Sequence, residues 1–262
     1  MDLQIEGKRA LVLASSKGLG HGIARALAAE GANVLLCGRS ADALAANAGA
    51  INAEGRGTAD WVEADLGDEG FVDRMLDAAD QKLGGIDILV NNTGGPPPGG
   101  AANMSVDELQ KQFPMMVARV IDLTTRALPG MRERKWGRIL TVASSGVVQP
   151  IPNLALSNTL RSALVGWSKS LANEVAADGV TSNLLLPGRI HTARTDQLDE
   201  ANAKRTGQSR EEVREAALAT IPAGRYGKVE EFAAVAAFLV SGPASYVTGS
   251  VIRCDGGSVK SV

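Results

Sequence analysis

A glycine-rich turn near the amino terminus has the composition of a phosphate-binding loop. The turn reads, in order, Ser15, Ser16, Lys17, Gly18, Leu19 and Gly20. It follows the aliphatic run RALVLA and opens a segment with helical periodicity, so backbone N–H groups and the positive end of a helix dipole would face a ligand together. The turn predicts binding of a pyrophosphate, although a tight turn without any ligand would use the same glycines.

Positive charge, rather than an acidic side chain, follows the second aliphatic run. A site for NAD(H) has an acidic residue about 20 positions after the glycine turn, where it accepts hydrogen bonds from a ribose. This chain has Arg39 directly after Cys37 and Gly38. The guanidinium of Arg39 can hold a 2′-phosphate through parallel hydrogen bonds, and Lys17 adds charge on the same side. We therefore expect NADP(H), with NAD(H) as the alternative if both cations are only solvated surface residues.

The elements that position these residues alternate between aliphatic runs and amphipathic segments. The aliphatic runs predict seven strands, at residues 9–14, 31–38, 58–64, 86–91, 138–143, 180–186 and 251–254. Helices are predicted between them, the longest opening at a capping box formed by Ser105 and Glu108. The alternation predicts the α/β class, as a single doubly wound Rossmann-like domain over residues 1–262, with a seven-stranded parallel sheet and helices on both faces. Ligands bind such sheets at the carboxyl ends of the strands.

One polar segment interrupts the alternation. Residues 192–224 concentrate charged side chains and are predicted to be helical in parts. A flexible surface segment and a lid on the substrate side of a pocket explain this composition equally well.

Composition excludes several other classes of protein. The chain has 262 residues, 45% of them hydrophobic and 21% charged, with a net charge of −2, so we expect a globular protein that binds no nucleic acid. Two cysteines and two histidines are too few for a closed zinc site without carboxylates or for a disulfide scaffold, and no metal is expected. No apolar run approaches the ~20 residues of a membrane helix, and acidic residues precede the first apolar run, unlike in a secretory signal. We therefore expect a soluble, cytoplasmic protein without membrane contact.

Residues 8–257 resemble the short-chain dehydrogenase/reductase family in the order and spacing of their motifs. These motifs are the glycine turn, Asp65 after the third strand, NNTG at 91–94, Ser144 after the fifth strand, PGRIHT at 187–192 and YVTGSVIRCDGG at 246–257. The resemblance implies a nicotinamide cofactor, hydride transfer between that cofactor and a small-molecule carbonyl or alcohol, and a homotetramer or homodimer.

The resemblance also assigns most of the cofactor site. Asp65, followed by Leu66, matches the position that accepts from the adenine amino group, although capping of a helix is the structural alternative for its carboxylate. The other matched positions lie at strand ends beside the ribose and the nicotinamide, and they are Asn91, Thr93, Gly94, Pro187, Gly188, Ile190 and Thr192.

The glycine turn itself departs from the family pattern. Leu13 and Ala14 stand where the family has threonine and the first glycine. The methyl group of Ala14 is small enough for the turn if the residue keeps a negative φ angle, as we expect. Nucleotide binding is therefore compatible with the substitution.

The catalytic positions depart further. Ser157 stands thirteen residues after Ser144, where the family has a tyrosine, and Arg161 replaces the lysine one helical turn later. Met116 replaces an asparagine in the preceding helix. Of the four positions, only Ser144 is retained.

These replacements remove the family's proton donor. The aliphatic hydroxyl of Ser157 is a far weaker acid than a phenol, whose unperturbed pKa is about 10. Arg161 stays charged at neutral pH, but its guanidinium can hold the nicotinamide ribose or an anionic substrate group. A histidine side chain can carry a proton in the physiological range, so His191 is the candidate donor, unless its ring faces solvent. The predicted catalytic residues are therefore Ser144, Ser157, Arg161 and His191.

Three functions remain open from the sequence. The first is NADP(H)-dependent reduction of a carbonyl or oxidation of a secondary alcohol, with Ser144 polarising the oxygen and water or His191 carrying the proton. The second is a regulatory protein that binds NADP(H) without catalysis, and the third is a non-redox lyase or hydrolase. Arg161, Arg189 and Arg194 would suit a substrate with a carboxylate or phosphate, with solvated arginines as the alternative.

The helix that carries Ser157 is unusually apolar. Its apolar side chains include Leu156, Leu160, Leu164, Trp167 and Leu171. Because this helix pairs across a dimer in the family, we expect a homo-oligomer, with burial in the chain's own core as the alternative.

Overall fold

Seven parallel strands form one sheet in the computed structural model, which describes residues 1–261. The strands are β1 (Arg9–Val12), β2 (Asn33–Gly38), β3 (Thr58–Glu63), β4 (Ile88–Asn91), β5 (Gly137–Val142), β6 (Val180–Pro187) and β7 (Val251–Cys254). Their order is β3-β2-β1-β4-β5-β6-β7, and every neighbouring pair is parallel. The chain changes direction across the sheet between β1 and β4, which opens a crevice at the carboxyl ends of the strands.

Helices cover both faces of this sheet. They are α1 (Gly18–Ala29), α2 (Ala41–Glu54), α3 (Phe71–Leu83), α4 (Val106–Phe113), α5 (Arg119–Glu133), α6 (Ala155–Val175), α7 (Ala193–Thr206), α8 (Arg210–Leu218) and α9 (Val229–Leu239). On one face α1 and α9 bury Ile23 and Phe232, and on the other α3 and α6 bury Phe71 and Leu171. The predicted doubly wound fold, with seven parallel strands and helices on both faces, is confirmed.

Four strands, β1 to β4, are shorter than the aliphatic runs that predicted them, and the ends of β1 and β4 lie beside specific local contacts. β1 ends at Val12, because the chain turns sharply at Ala14, where φ is 48°. β4 begins at Ile88, directly after Asp87, whose carboxylate accepts hydrogen bonds from the side chain of Arg9 at the start of β1. At β1, the backbone turn ends a run that is apolar enough to continue.

The long helix predicted after residue 105 is divided. A π-helical turn over Pro114–Ala118 separates α4 from α5, since proline has no N–H to donate within a regular helix. The predicted capping box is only half formed. Oγ of Ser105 accepts from the N–H of Glu108 (3.4 Å), but the carboxylate of Glu108 accepts from Nε2 of Gln112 (2.8 Å) instead of from the cap.

The leucines of α6 face the interior of their own chain. Their exposed fractions are 5% for Leu156, 2% for Leu160, 2% for Leu164 and 8% for Leu171. The first three pack against the π-helical turn and the start of α5, where Met116 lies. Burial in the chain's own core, the alternative given for these side chains, therefore holds for the four leucines, and the homo-oligomer stays a prediction.

Residues 192–224 contain α7 and α8, so the predicted partial helicity is confirmed. α7 is tied to the end of β6 through Asp199, whose side chain is 7% exposed. Nη1 of Arg189 donates to Oδ1 of Asp199 (2.5 Å), and the hydroxyl of Tyr226 donates to Oδ2 (2.9 Å). This buried cluster anchors the middle of the segment to the sheet.

Membrane-spanning helices and metal-ligand clusters are absent from residues 1–261. No helix there is both long and apolar enough to cross a bilayer. Over the same residues, no three histidine, cysteine, aspartate or glutamate side chains converge as metal ligands do.

Candidate functional site

The glycine turn joins β1 to α1 with its backbone open to a ligand. The hydroxyl of Ser15 donates to the carbonyl of Val12 (2.8 Å) and accepts from the N–H of Cys37 (2.9 Å), which ties the ends of β1 and β2 together. Lys17 precedes α1 in an extended conformation, and no side chain among residues 1–261 caps the first N–H groups of this helix. Those groups are therefore available to an anion. The same turn contains Ser16, Gly18 and Leu19, all half-buried.

Gly20 tolerates no side chain at this position. A Cβ atom there would lie 2.5 Å from the carbonyl oxygen of Ala14 and 2.8 Å from Nδ2 of Asn92. Because Ala14 has a φ of 48°, the expected negative angle is wrong. The chain must reverse between β1 and α1 under this close approach, and Asn92 stabilises the reversal by donating to the carbonyls of Leu13 and Ala14, each at 3.3 Å. These bonds offset a left-handed conformation that costs an alanine about 1–2 kcal/mol.

Arg39 and Asp65 meet where β2 and β3 end. Nη1 of Arg39 lies 3.8 Å from Oδ2 of Asp65, and the two side chains are 79% and 44% exposed. Oδ1 of Asp65 accepts from the N–H of Gly67 (2.8 Å), so the carboxylate caps the turn after β3 rather than α3. The carbonyl of Leu66 in this turn accepts from Arg119. A long, exposed ion pair contributes little to stability, so Arg39 can turn toward a phosphate at small cost.

Two buried polar atoms, one on the last residue of β4 and one two positions later, have no hydrogen-bond partner within residues 1–261. They are Oδ1 of Asn91 and Oγ1 of Thr93. Nδ2 of Asn91 donates to Oγ1 of Thr124 on α5 (3.0 Å), which fixes the orientation of the amide. A buried polar atom without a partner costs about 1–3 kcal/mol and calls for a ligand or a water. The hydroxyl groups of a nucleotide ribose fit this requirement, so the residues present suit a nicotinamide dinucleotide.

Arg161 is a buried cation where β4, β5 and α6 meet. Nη1 donates to the carbonyl of Val142 (2.9 Å), and Nη2 donates to those of Thr93 (3.4 Å) and Gly94 (3.3 Å). The residue is 7% exposed. Burial, followed by the charge of Arg194, lowers the pKa of Arg161 to about 10. The guanidinium is therefore protonated at neutral pH, and no carboxylate in residues 1–261 pairs with it.

The two candidate serines come from the elements that hold Arg161. Oγ of Ser144, directly after β5, accepts from the N–H of Gly146 (3.1 Å), which leaves the hydroxyl hydrogen to donate. Ser157 is 8% exposed and lies one turn before Arg161 on α6. Met116 is 3% exposed and packs against α6. An apolar thioether therefore occupies the position predicted to correspond to the family's asparagine.

Two asparagines with positioning roles were missed in the sequence. Asn92 holds the glycine turn as described above, and its only signal was its place in the NNTG motif. Nδ2 of Asn158 donates to the carbonyl of Ile151 (3.0 Å), and its Oδ1 accepts from the Ile151 N–H (3.4 Å). This pair ties α6 to the loop that carries Ser144. No pattern in the sequence predicted this pair of hydrogen bonds.

His191 is largely exposed to solvent beside the start of α7. Its side chain is 61% exposed, with Nε2 3.7 Å from Oδ1 of Asp196. It lines a cavity of about 240 Å³ together with Arg214 and Tyr226. Among the described residues, that lining includes none of the other three predicted catalytic residues, Ser144, Ser157 and Arg161.

The remaining predicted cofactor residues follow β6 in a tightly packed segment. Pro187 ends the strand, and a Cβ on Gly188 would lie 2.6 Å from Cα of Asp255. Ile190 is 4% exposed and pairs with the segment at Gly227. The side chain of Thr192 caps α7 by accepting from the N–H of Thr195 (3.3 Å). The segment is thus fixed between the sheet and the start of α7.

Comparison with known proteins assigns the family. Residues 13–259 match the family described as "Enoyl-(Acyl carrier protein) reductase". The chain belongs to the short-chain dehydrogenase/reductase family. Among curated members, the 3-oxoacyl-[acyl-carrier-protein] reductase FabG of Escherichia coli (strain K12) is 33% identical over 257 residues, covering 97% of this chain and 98% of FabG. The D-beta-hydroxybutyrate dehydrogenase of Cupriavidus necator is 34% identical over 256 residues, covering 97% of this chain and 99% of that protein.

Solved structures of short-chain dehydrogenases/reductases superpose closely on this chain. The L-sorbose reductase from Gluconobacter frateurii, complexed with NADPH and L-sorbose, has a TM-score of 0.93 at 31% identity and covers 100% of both chains. YwfH, described as an NADPH dependent reductase involved in bacilysin biosynthesis, has a TM-score of 0.92 at 30% identity, covering 97% of this chain and 100% of YwfH. The fold of this chain is therefore that of reductases described as using NADPH.

Proposed function

We propose that the protein is an NADP(H)-dependent oxidoreductase that interconverts a carbonyl and an alcohol on a small molecule, with a proton supply that uses no tyrosine. The observation that carries the proposal is the nucleotide crevice. Within residues 1–261, the N-terminus of α1 has no side-chain cap, and Thr93 has a buried hydroxyl oxygen without a partner. Similarity to FabG and to L-sorbose reductase supports the class of reaction.

In this proposal the nucleotide lies across the carboxyl ends of the strands. The first turn of α1 binds the pyrophosphate, and Arg39 with Lys17 binds the 2′-phosphate. Asp65 accepts from the adenine amino group, and Thr93 contacts the ribose. The nicotinamide, when bound, supplies or accepts a hydride.

Ser144 and Arg161 act on the substrate oxygen. Ser144 donates its hydroxyl hydrogen, because its oxygen already accepts from the N–H of Gly146. Arg161 stabilises the negative charge that develops on the oxygen as the hydride arrives, and its own carbonyl partners hold it in place before the reaction. Charge stabilisation of this kind is strong where water is excluded.

Water delivers the proton in this proposal. The hydroxyl of Tyr226 donates to Asp199, and Tyr246 is 101% exposed, so neither of the two phenols replaces the missing acid. Ser157 is too weak an acid to do so. His191 is the alternative donor, and its position on a separate cavity favours water.

Rapid mixing of the NADPH complex with a panel of aldehydes and ketones tests this function. We expect nicotinamide absorbance to fall in a single turnover, with a rate that shows no histidine titration between about pH 6 and 8. A His191→Asn variant is expected to keep that rate. Binding of NADPH without oxidation by any carbonyl would overturn the proposal and favour the second candidate.

The second candidate is a protein that binds NADP(H) as a regulatory ligand. The observation in its favour is that two of the residues at the family's catalytic positions are buried, since Ser157 is 8% exposed and Met116 is 3% exposed. Its signature is saturable NADPH binding together with no hydride transfer.

We also propose a homo-oligomer, as a dimer or tetramer. Apolar side chains are exposed near the edge strand β7, at 37% for Phe238, 101% for Tyr246 and 40% for Val251. A second copy of the chain would cover this edge. Sedimentation that shows only monomer across micromolar concentrations would overturn the proposal.

A further inference from the structure

The surroundings of Arg161 differ from those of Arg9, Arg189 and Arg138. Arg9 pairs with Asp87, and Arg189 pairs with Asp199. Arg138 is 2% exposed and has no carboxylate among residues 1–261, but the ring of Trp136 covers its guanidinium at 4.5 Å. Arg161 has neither an acid nor an aromatic ring within the described chain, only carbonyl oxygens. A buried cation in that position lacks its counter-charge.

A second guanidinium lies on the same stretch of backbone. Nη2 of Arg194, at the start of α7, donates to the carbonyl of Pro96 (2.9 Å). A Cβ on Gly95 would meet Nη2 of Arg194 at 2.9 Å and Nε at 3.2 Å. Arg161 contacts the carbonyls of the two residues immediately before Gly95. Consecutive residues of one turn therefore bring two positive charges together, and Arg194 is also exposed at the mouth of the crevice.

The space and the donors beside this turn match one ligand. Apart from Gly94 itself and its two neighbours in the chain, no atom of the described residues would lie within 4 Å of a Cβ on Gly94, so the turn that holds Arg161 borders open space. A guanidinium has five N–H donors. Arg161 uses three of them on carbonyls and retains two. These two N–H groups, on Nε and Nη1, lie on different edges of the guanidinium, so one donates to a carboxylate oxygen and the other remains for the reacting oxygen. Arg194 has further N–H groups beside the one that it gives to Pro96, and one of them can donate to the second carboxylate oxygen. One donor from each arginine suits the two oxygens of a carboxylate better than the three of a phosphate.

We propose that a carboxylate of the substrate binds between Arg161 and Arg194, so that the substrate is a carbonyl or hydroxy compound that also carries a carboxylate. The substrate class rests on the proposed function, whereas the carboxylate site does not. Arg161 supplies the enclosed positive charge, and Arg194 brings the start of α7 to the same anion. The carboxylate thereby couples substrate recognition to the position of α7.

Titration with benzoate and with benzamide, its neutral counterpart, tests the site. Heat of binding is measured by calorimetry on the protein alone and on its NADP⁺ complex, at constant ionic strength. We expect saturable binding of benzoate and at least tenfold weaker binding of benzamide. Arg194→Gln is expected to raise the Kd for benzoate about tenfold to hundredfold, the effect of losing a hydrogen bond between charged groups.

A matched control distinguishes binding of benzoate at this site from a general effect of positive charge on the protein surface. Arg205→Gln removes the same charge from the same helix at an exposed position whose partner is Asn202, and we expect the Kd for benzoate to change less than twofold. Equal affinity for benzoate and benzamide, equal effects of the two variants, or tighter binding of inorganic phosphate than of benzoate would each overturn the proposal. Failure of the proposed function gives a different result, because Arg194-dependent benzoate binding would then persist although no carbonyl oxidises NADPH.

Discussion

Replacing Gly20 with alanine tests whether the turn between β1 and α1 is a nucleotide site. The new Cβ would lie 2.5 Å from the carbonyl oxygen of Ala14, which is backbone and cannot rotate away, and 2.8 Å from Nδ2 of Asn92. The turn and the start of α1 must therefore shift. Overpacking of this kind costs about 1–3 kcal/mol of the free energy of unfolding. Displaced N–H groups also lose charge-assisted hydrogen bonds to the pyrophosphate, worth about 1.5–3 kcal/mol each, so the Kd for NADPH should rise tenfold to hundredfold.

The assay combines fluorescence titration with NADPH and urea unfolding, and Gly49→Ala serves as the control. Gly49 lies inside α2, and apart from its chain neighbours and the adjacent backbone of α2, no atom of residues 1–261 lies within 4 Å of the Cβ that alanine would add. That variant should gain about 0.5–1 kcal/mol of stability, because alanine is the better helix former, and should bind NADPH unchanged. An unchanged Kd in Gly20→Ala would refute the assignment of this turn.

Three further predictions follow from named contacts. Asp199→Asn should lower the free energy of unfolding by about 2 kcal/mol, because Arg189 and Tyr226 lose a buried carboxylate. The control Asp196→Asn changes a half-exposed carboxylate on the same helix and should lower the free energy of unfolding by less than about 0.5 kcal/mol. Equal losses of the two variants in urea unfolding would contradict the anchoring of α7. Burial raises the pKa of Asp87, but hydrogen bonds from Arg9 lower it more, to a value below normal. The stability that this lowered pKa gives the folded protein is present above the unfolded pKa of about 3.9 and is lost as the pH falls through the folded pKa. In urea unfolding, the Asp87→Asn variant should therefore lose less stability than the wild type on acidification. The control variant Asp77→Asn should behave as the wild type does. Ser157→Tyr combined with Arg161→Lys restores the family's acid and its partner, and should raise the single-turnover rate of NADPH oxidation at least tenfold if the nucleotide lies as proposed; a slower rate in both the double variant and Ser157→Tyr alone would contradict that placement.

The sequence predicted the sheet well because its strands are aliphatic runs whose periodicity is a local property. The same reasoning was wrong about the φ angle of Ala14, since that angle depends on Gly20 and Asn92, which approach it from other elements. No propensity of alanine reports such a contact.

The leucines of α6 show a second limit of sequence reasoning. An apolar helix face predicts a partner surface but does not identify the partner, and here the π-helical turn at Pro114–Ala118 brings Met116 over Leu156 and Leu160. The interruption had a visible signal in Pro114, which the helical periodicity outweighed. The oligomer proposal now depends on the exposed residues beside β7 instead.

The candidate site was predicted in its residues more than in its contacts. Ser144, Ser157 and Arg161 come from elements that do meet, but two of the three carbonyl partners of Arg161 are set by the turn after β4, 67 and 68 positions away in the chain. The separate cavity of His191 and the buried link from Asn158 to Ile151 likewise depend on tertiary packing. Residue types predicted the possible chemistry, whereas the folded chain determines which groups can act together.

Equilibrium titration of the purified protein with NADPH and with NADH tests the central claim most directly. The account predicts saturable binding of both, with NADPH bound at least tenfold tighter, and loss of that preference in Arg39→Ala, because Arg39 is the cation at the end of β2. Failure of either nucleotide to saturate the protein, at concentrations up to about a millimolar, would contradict it.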